Sequence, residues 1–290
     1  MASRDTTAGE LVWLVTGSSS GFGRRLVNSA VARGDKVIAT SRSIEGLEDL
    51  SSLSNVRVLQ LDVTEGPDII KQKIDAAVTF FGRIDVLVNN AGIAVKASVE
   101  EGGSKDFMDQ IQTNVIGLLD VTSAVLPHMR ARQSGTIVVI GSRSSWFSEN
   151  QFTGHYSASK AAVRVLGETL AVEVAPFSIR VLIAEPGPFR TEGMLSLPMS
   201  THNNIPEYDE ARERTDQQVK WFDGKQPNDP VKAMEILVDV VRGEGRAAGK
   251  PWPLYLPLSI EAEEAIRNKC KVLLNVVDEW KDVIRDTRVE

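Results

Sequence analysis

The chain has 290 residues, a formal charge of −6 at neutral pH and one cysteine, Cys270. That balance excludes the basic footprint of a nucleic-acid binder. A single cysteine excludes an intrachain disulfide and makes a reducing, cytoplasmic setting the expectation.

Three histidines and one cysteine leave no metal-ligand cluster in view. No apolar run approaches the roughly 20 residues of a membrane span. The opening MASRDTTAGE is polar, without the apolar stretch of a signal peptide.

The first apolar run, Leu11 to Val15, reads as a strand buried on both faces. It leads into Gly17, Ser19, Ser20, Gly21, Phe22 and Gly23. A helical pattern then runs from Phe22 to Arg33 through Leu26, Val27, Ala30 and Val31. Strand, glycine turn and helix together suit a pyrophosphate. Glycine lets the backbone turn tightly and approach a ligand, and the helix start points free N–H groups at it. The spacing is G-x-x-x-G-x-G, and alone it also serves an ordinary turn.

Lys36 to Thr40 is a second strand, ending at Ser41 and Arg42. A dinucleotide fold reads the adenosine ribose there, with an acidic side chain on the 2′-hydroxyl. Neither position is acidic. Arg42 suits a 2′-phosphate, because a guanidinium matches phosphate geometry. The alternative is a solvated surface arginine.

Ile44 to Leu53 reads as a helix and Val56 to Leu61 as a third strand. Asp62 and Val63 close it, where a carboxylate could accept a hydrogen bond from the adenine amino group. Pro67 opens a helix to about Phe81, proline being favoured in the first turn. Ile84 to Val88 is a fourth strand, running into Asn89, Asn90, Ala91 and Gly92. Ser104 to about Arg132 is a long helical stretch that Pro127 can kink. Asn114 inside it has low helix propensity. It serves through its amide, or it bonds a neighbouring backbone group.

Thr136 to Ile140 is a fifth strand, followed by Gly141, Ser142, Arg143, Ser144 and Ser145. A helix runs from about His155 to Ala175, and Ile179 to Ala184 is a sixth strand. The loop after it carries Pro186, Gly187, Phe189 and Thr191. Six strands alternating with helices predict an α/β fold: a single Rossmann-type domain over 1–290. Its parallel sheet is doubly wound, with helices on both faces.

Residues 192–227 lose the alternation and read as an irregular lid, with Met194, Leu195, Leu197 and Met199 at its start. Asn228 to Val241 is a helix, Leu254 to Leu256 a short strand, and about 259–286 a helical extension. On that extension Ile266, Cys270, Leu273, Val277, Trp280 and Ile284 alternate at spacings of four and three. That is a narrow apolar seam, which either packs on its own domain or makes a subunit contact.

Tyr156 and Lys160 stand four apart at the start of a helix, on one face and one turn apart. A nearby ammonium favours the phenolate, which predicts a lowered tyrosine pKa. A tuned phenol can give or take a proton at a carbonyl or alcohol oxygen. The glycine loop, Asn89 to Gly92, the serines and this pair all follow carboxyl ends of strands, where open α/β sheets bind ligands.

With those stretches assembled, the chain resembles the short-chain dehydrogenase/reductase family over about residues 10–245. The likeness rests on TGSSSGFG at 16–23, NNAG at 89–92, Asn114, Ser142, YSASK at 156–160 and PGPFRT at 186–191. It implies that Tyr156 is the acid/base and Ser142 holds the substrate oxygen. It implies that Lys160 binds the nicotinamide ribose and Asn114 holds a water that relays protons. The remaining stretches, with Arg42, Asp62 and Val63, would bind NADP(H), and Gly187 to Thr191 would cover the nicotinamide.

The family places its serine thirteen residues before the tyrosine, where this chain has Arg143; Ser142 and Ser144 flank that position. Ser142 is favoured because Gly141 and Ser142 directly end the strand. Phe22 replaces a commoner aliphatic residue. The lid and tail resemble fungal secondary-metabolism reductases more loosely.

The resemblance implies a homodimer or homotetramer and an NADPH-dependent oxidoreductase acting on a carbonyl or secondary alcohol. The other reading is a non-catalytic NADP(H)-binding or scaffold protein on the same fold. Against it, none of the four catalytic positions is lost. Trp146, Phe147, Phe152, His155 and the apolar start of the lid predict a bulky, apolar substrate, unless they are ordinary core.

Overall fold

Strand β1 (Val12–Val15) is buried at all four residues. Its alternate side chains feed two cores: Val12 and Leu14 pack on one side of the sheet, Trp13 and Val15 on the other. This two-sided burial explains the unbroken apolar run. The computed structural model describes residues 9–192, 199–200 and 202–289.

The other strands are β2 (Lys36–Ser41), β3 (Val56–Gln60), β4 (Val86–Asn89), β5 (Gly135–Ile140), β6 (Ile179–Pro186) and β7 (Tyr255–Leu258). They form one sheet in the order β3-β2-β1-β4-β5-β6-β7, and every pairing is parallel. Helix α1 (Gly21–Ala32) follows β1, and a single turn, α2 (Glu48–Ser51), follows β2. Helices α3 (Pro67–Phe81), α4 (Val99–Ile111), α5 (Gly117–Arg132) and α6 (Gly154–Val174) come next. Beyond β6 lie α7 (Asp209–Phe222), α8 (Pro230–Arg242) and α9 (Ile260–Ile284).

Leu26 and Val27 of α1 join Ala233 and Leu237 of α8 in one core. Ile70 of α3, Val121 of α5 and Val163 of α6 lie in the other. The sheet is therefore doubly wound, as the sequence predicts. Strand order reverses between β1 and β4, which opens a crevice at their carboxyl ends.

Several elements differ from the sequence reading. The expected helix over 44–53 is a 3₁₀ turn plus one α turn, which buries Leu47 and Leu50 and is tied to α1 by Arg24 on Asp49 at 2.6 Å. Helix α4 starts earlier than Ser104, because Ser98 accepts from the Glu101 N–H at 3.1 Å and caps it. Gly103, at φ 50°, then breaks its path. A π turn over Gln112–Ile116 separates α4 from α5. Pro257 sits inside β7, which the edge position of that strand permits.

The segment expected to be irregular contains α7, a helix with no buried residue. Polar tethers hold it and its approach instead. Arg212 pairs with the nearly buried Glu101, whose Oε1 also accepts from the Ile205 N–H at 3.0 Å. Tyr208 donates to Glu100 at 2.8 Å. Met194, Leu195 and Leu197 lie outside the described residues.

Helix α9 packs through Ala262 and Ala265, while every residue from Cys270 to Val289 is exposed. Most of its seam thus lies off its own domain. Among the described residues no helix is long and apolar enough to cross a membrane, and no acidic, histidine or cysteine cluster could hold a metal.

Candidate active site

The glycine loop is bound to the end of β4. Asn90 donates through Nδ2 to the carbonyls of Thr16 and Gly17, at 2.8 and 3.0 Å. Thr16 Oγ1 accepts from the Asn90 and Ala91 N–H groups, both at 2.9 Å. Gly17 and Gly21 adopt φ of 67° and 56°, the left-handed region that favours glycine. A Cβ at Gly23 would run into the Gly17 carbonyl. Close passage of helix over turn therefore requires glycine.

A carboxylate already sits at this helix start. Glu192 accepts from the Gly21 N–H at 3.1 Å and pairs with Arg25 at 2.6 Å. The Arg25 guanidinium holds its pKa down at about 2. An acid seated on the first N–H of α1 marks the place as one that accepts an anion. The residues present thus fit the pyrophosphate of a dinucleotide.

A cleft of about 460 Å³ runs from this loop across the sheet. Gly17, Ser19, Ser20, Gly21 and Phe22 line one end with Arg42, Asp62 and Val63. Ala91, Gly92, Pro186 and Thr191 line it further in, and Tyr156 and Lys160 close the inner end. Arg42 is exposed, and among the described residues no carboxylate pairs with it. The Asp62 carboxylate accepts from the Thr64 N–H and hydroxyl, at 3.0 and 2.8 Å.

Other expected cofactor residues stand back from the lining. Asn89 is buried and donates to Thr122 Oγ1 at 2.8 Å, beneath the sheet. Gly23 lies behind the turn. Phe189 packs edge-on against Phe22 at 5.2 Å, supporting that side chain from below. Gly187 passes so close to Ser259 that a Cβ would clash with its hydroxyl.

At the inner end Lys160 is nearly buried and donates to the Ile140 carbonyl at 2.8 Å. Burial pushes its pKa down to about 8. Its ammonium lies 5.8 Å from the Tyr156 ring centre. The Tyr156 pKa is raised, not lowered as the spacing predicted. Burial outweighs the relief from a hydrogen bond with Ser142. In the protein alone, desolvation therefore dominates over the lysine charge.

Ser142 is buried and its Oγ accepts from the Ser144 N–H at 3.1 Å. This cap fixes the short turn Arg143–Ser145. Asn114 lies in the π turn and clamps Ile93: its Oδ1 accepts from the Ile93 N–H at 2.8 Å, and its Nδ2 donates to the Ile93 carbonyl at 3.0 Å. It also donates to Ser159 at 3.0 Å. The amide thus bonds neighbouring backbone, holding the segment after Gly92 beside Lys160. A π turn adds a residue to one helical turn and recurs at functional sites.

A profile of the short chain dehydrogenase family matches residues 11–199. The chain belongs to the short-chain dehydrogenase family. An oxidoreductase of the fungus Botryotinia fuckeliana, BOA17, is 32% identical over 279 residues, covering 94% of this chain and 97% of that protein. A short-chain dehydrogenase of Streptomyces avermitilis has a crystal structure that superposes with a TM-score of 0.85 at 37% identity, covering 97% of this chain and all of that one. A serine dehydrogenase solved in a closed form with NADP+ gives a TM-score of 0.67 at 27% identity, over 85% of this chain and 94% of that chain. The resemblance to fungal reductases read from the sequence is met by the first of these. The chain is accordingly an oxidoreductase of the short-chain dehydrogenase class.

Within this dehydrogenase, sequence reading passes over three residues that shape the site. Asn90, not Asn89, ties the glycine loop. Glu192 reaches the helix start across a sequence gap of 171 residues. Glu185 is fully buried and accepts from Ser145 Oγ at 2.8 Å and from the Trp146 indole. A charged residue closing the apolar run Val181 to Ala184 was the available signal for Glu185. The aromatic pocket expected between serine and tyrosine is largely otherwise engaged. Trp146 is tied to Glu185 and lies under Arg164 at 4.3 Å. Phe152 and His155 are buried, the latter against Phe107 at 5.7 Å. Only Phe147 is exposed, one turn beyond Ser142.

Proposed function

We propose that this protein is an NADPH-dependent carbonyl reductase, acting on a bulky, largely apolar ketone or the corresponding secondary alcohol. The observation that carries the reading is one cleft with Tyr156, Lys160 and an anion-accepting helix start along it. Tyr156 gives a proton to the substrate oxygen in reduction and takes it back in oxidation. Ser142, whose hydroxyl acts to lower the Tyr156 pKa against the effect of burial, orients that oxygen. Lys160, turned inward by the Ile140 carbonyl, holds the ribose and places a positive charge beside the phenol. Asn114 secures the backbone after Gly92 and anchors a proton-relaying water. NADP(H), when bound, supplies or accepts the hydride.

Gly17, Ser19, Ser20, Gly21, Phe22 and Gly23 would cradle the pyrophosphate. Arg42 would take the 2′-phosphate and Asp62 with Val63 the adenine. Asn89, Ala91, Gly92, Pro186, Gly187, Phe189 and Thr191 would support the nicotinamide half. The NADP+ complex of the related serine dehydrogenase supports the choice of cofactor. Ile93 and Ala94 on the cleft wall support an apolar substrate. Segment 192–227 would act as a lid, and a cytoplasmic homodimer or homotetramer is the assembly proposed.

The test is NADPH oxidation against steroid, polyketide and quinone carbonyls beside small polar ketones. Ring-containing carbonyls are expected to turn over best; faster turnover of small polar ketones would defeat the substrate reading. Nucleotide binding with no turnover on any of them would favour a scaffold instead.

Ser142 and Ser144 can be separated by substitution. A hydrogen bond to a group that gains charge contributes about 1.5–3 kcal/mol, or roughly 10- to 100-fold at about 1.4 kcal/mol per tenfold. Ser142→Ala is expected to lose that much in kcat/KM, and Ser144→Ala much less. The reverse ranking transfers the role to Ser144.

A further inference from the structure

Helix α9 leaves the domain after its first turns. Ser259 caps it by accepting from the Ala262 N–H at 3.3 Å, and Lys269 pairs with Glu149 at 3.1 Å. Beyond that point the helix stands in solvent. Leu273, Leu274, Val277, Trp280, Val283 and Ile284 are each at least 50% exposed. A lone helix of about 15 residues is marginal in water, and contiguous apolar patches on a monomer usually mark a contact. The face is built to be covered.

We propose that it is covered by the same helix of a second copy of this chain, running antiparallel. The seam at spacings of four and three is that of two paired helices. Aligned about a two-fold axis near Asn275, its members are complementary to themselves. Ile266 meets Ile284 of the other copy, Cys270 meets Trp280, and Leu273 meets Val277. Each layer then occurs twice, as a two-fold contact requires. The small Cys270 faces the large Trp280, so the layers fill evenly.

Charge selects the direction. Within the seam, Ile266 to Ile284, the first half carries Arg267, Lys269 and Lys271, and the second carries Asp278, Glu279 and Asp282 against a single Lys281. Antiparallel pairing sets the basic half of one copy toward the acidic half of the other. Parallel pairing would align like with like. The acidic half also opposes docking on an anionic lipid surface.

Cys270 is the only cysteine in the chain, which makes the register measurable. The full-length Trp280→Cys variant is treated with copper–phenanthroline in air, so that oxygen oxidises any two adjacent thiols. It is expected to run mostly as a covalent dimer on a non-reducing gel. The unmutated chain should remain single, because its two Cys270 residues lie about 15 Å apart along the seam, ten residues at about 1.5 Å each.

Adding Leu273→Asp and Val277→Asp to Trp280→Cys should remove the cross-link while nucleotide affinity stays unchanged, showing the domain intact. Cys270→Ser with Leu273→Cys and Val277→Cys tests the central layer separately and should also cross-link. Absence of a dimer in both cysteine variants overturns the proposal. A cross-link in the unmutated chain would mean parallel pairing and overturns it equally. So does a cross-link that survives the two aspartates.

Discussion

Tyr156→Phe is expected to lower kcat for carbonyl reduction by about 10²- to 10⁴-fold, the range a positioned general acid contributes. Nucleotide affinity should be nearly unchanged, because the glycine loop and Lys160 are bonded to other partners. The phenol has its pKa raised by burial. In the unmutated enzyme it therefore remains a competent proton donor across the neutral range.

What titrates there is Lys160, at about 8. Below that value its ammonium supports the phenolate left when the proton is given away; above it the charge is gone. For reduction, kcat/KM should be level below about pH 8 and fall as pH rises through it. Unfolding at this residue does not mimic the effect. Between about 8 and the ordinary 10.5 the unfolded chain binds more proton at Lys160, so its contribution to stability grows with pH. Steady-state rates across pH, with a calorimetric melt at each point, separate the two. A flat profile through pH 9 would deny Lys160 this role, and residual turnover by Tyr156→Phe within tenfold of the unmutated enzyme would move the acid elsewhere.

The sheet was legible because a parallel strand between two helical layers is apolar on both faces. The runs Leu11 to Val15 and Val181 to Ala184 carry that signature with no knowledge of their neighbours. The glycine turn was legible for a similar reason, since the backbone constraint is local.

Features set by distant contacts were not legible. NNAG does not reveal that Asn89 turns down to Thr122 while Asn90 turns up to the glycine loop; that depends on where β4 ends. Helix α7 buries no side chain and so has no apolar stripe to read. It is held by Arg212 on Glu101, which lies 111 residues away. The tyrosine pKa went the wrong way for the same reason. Spacing on one helix face brings the lysine near, but desolvation is a property of the assembled cleft. Conversely, the seam on α9 was plain in the sequence, and only the fold showed that its own domain leaves it uncovered.

Cofactor choice turns on the end of β2. Ser41 is buried there, in register with Gln60 of β3, and Gln60 Nε2 donates to the Arg42 carbonyl at 3.0 Å. The backbone at Arg42 is thus fixed, while its side chain is exposed and lines the cleft. A guanidinium with no carboxylate partner among the described residues is available to a phosphate. One charge-assisted hydrogen bond contributes about 1.5–3 kcal/mol, which at about 1.4 kcal/mol per tenfold gives roughly a 10- to 100-fold preference for NADPH. Solvent screening at this exposed position pulls the value toward the lower end. Arg42→Ala should weaken NADPH by that factor and leave NADH nearly unchanged. Ser41→Asp combined with Arg42→Ala should swing the ratio further, on the order of 10³-fold, because a carboxylate repels the phosphate and offers the ribose hydroxyl an acceptor. Paired dissociation constants for both nucleotides, taken at low and high salt, provide the measurement. The preference of the unmutated enzyme should shrink as salt rises. Equal affinities for the two nucleotides at low salt would remove Arg42 from cofactor selection.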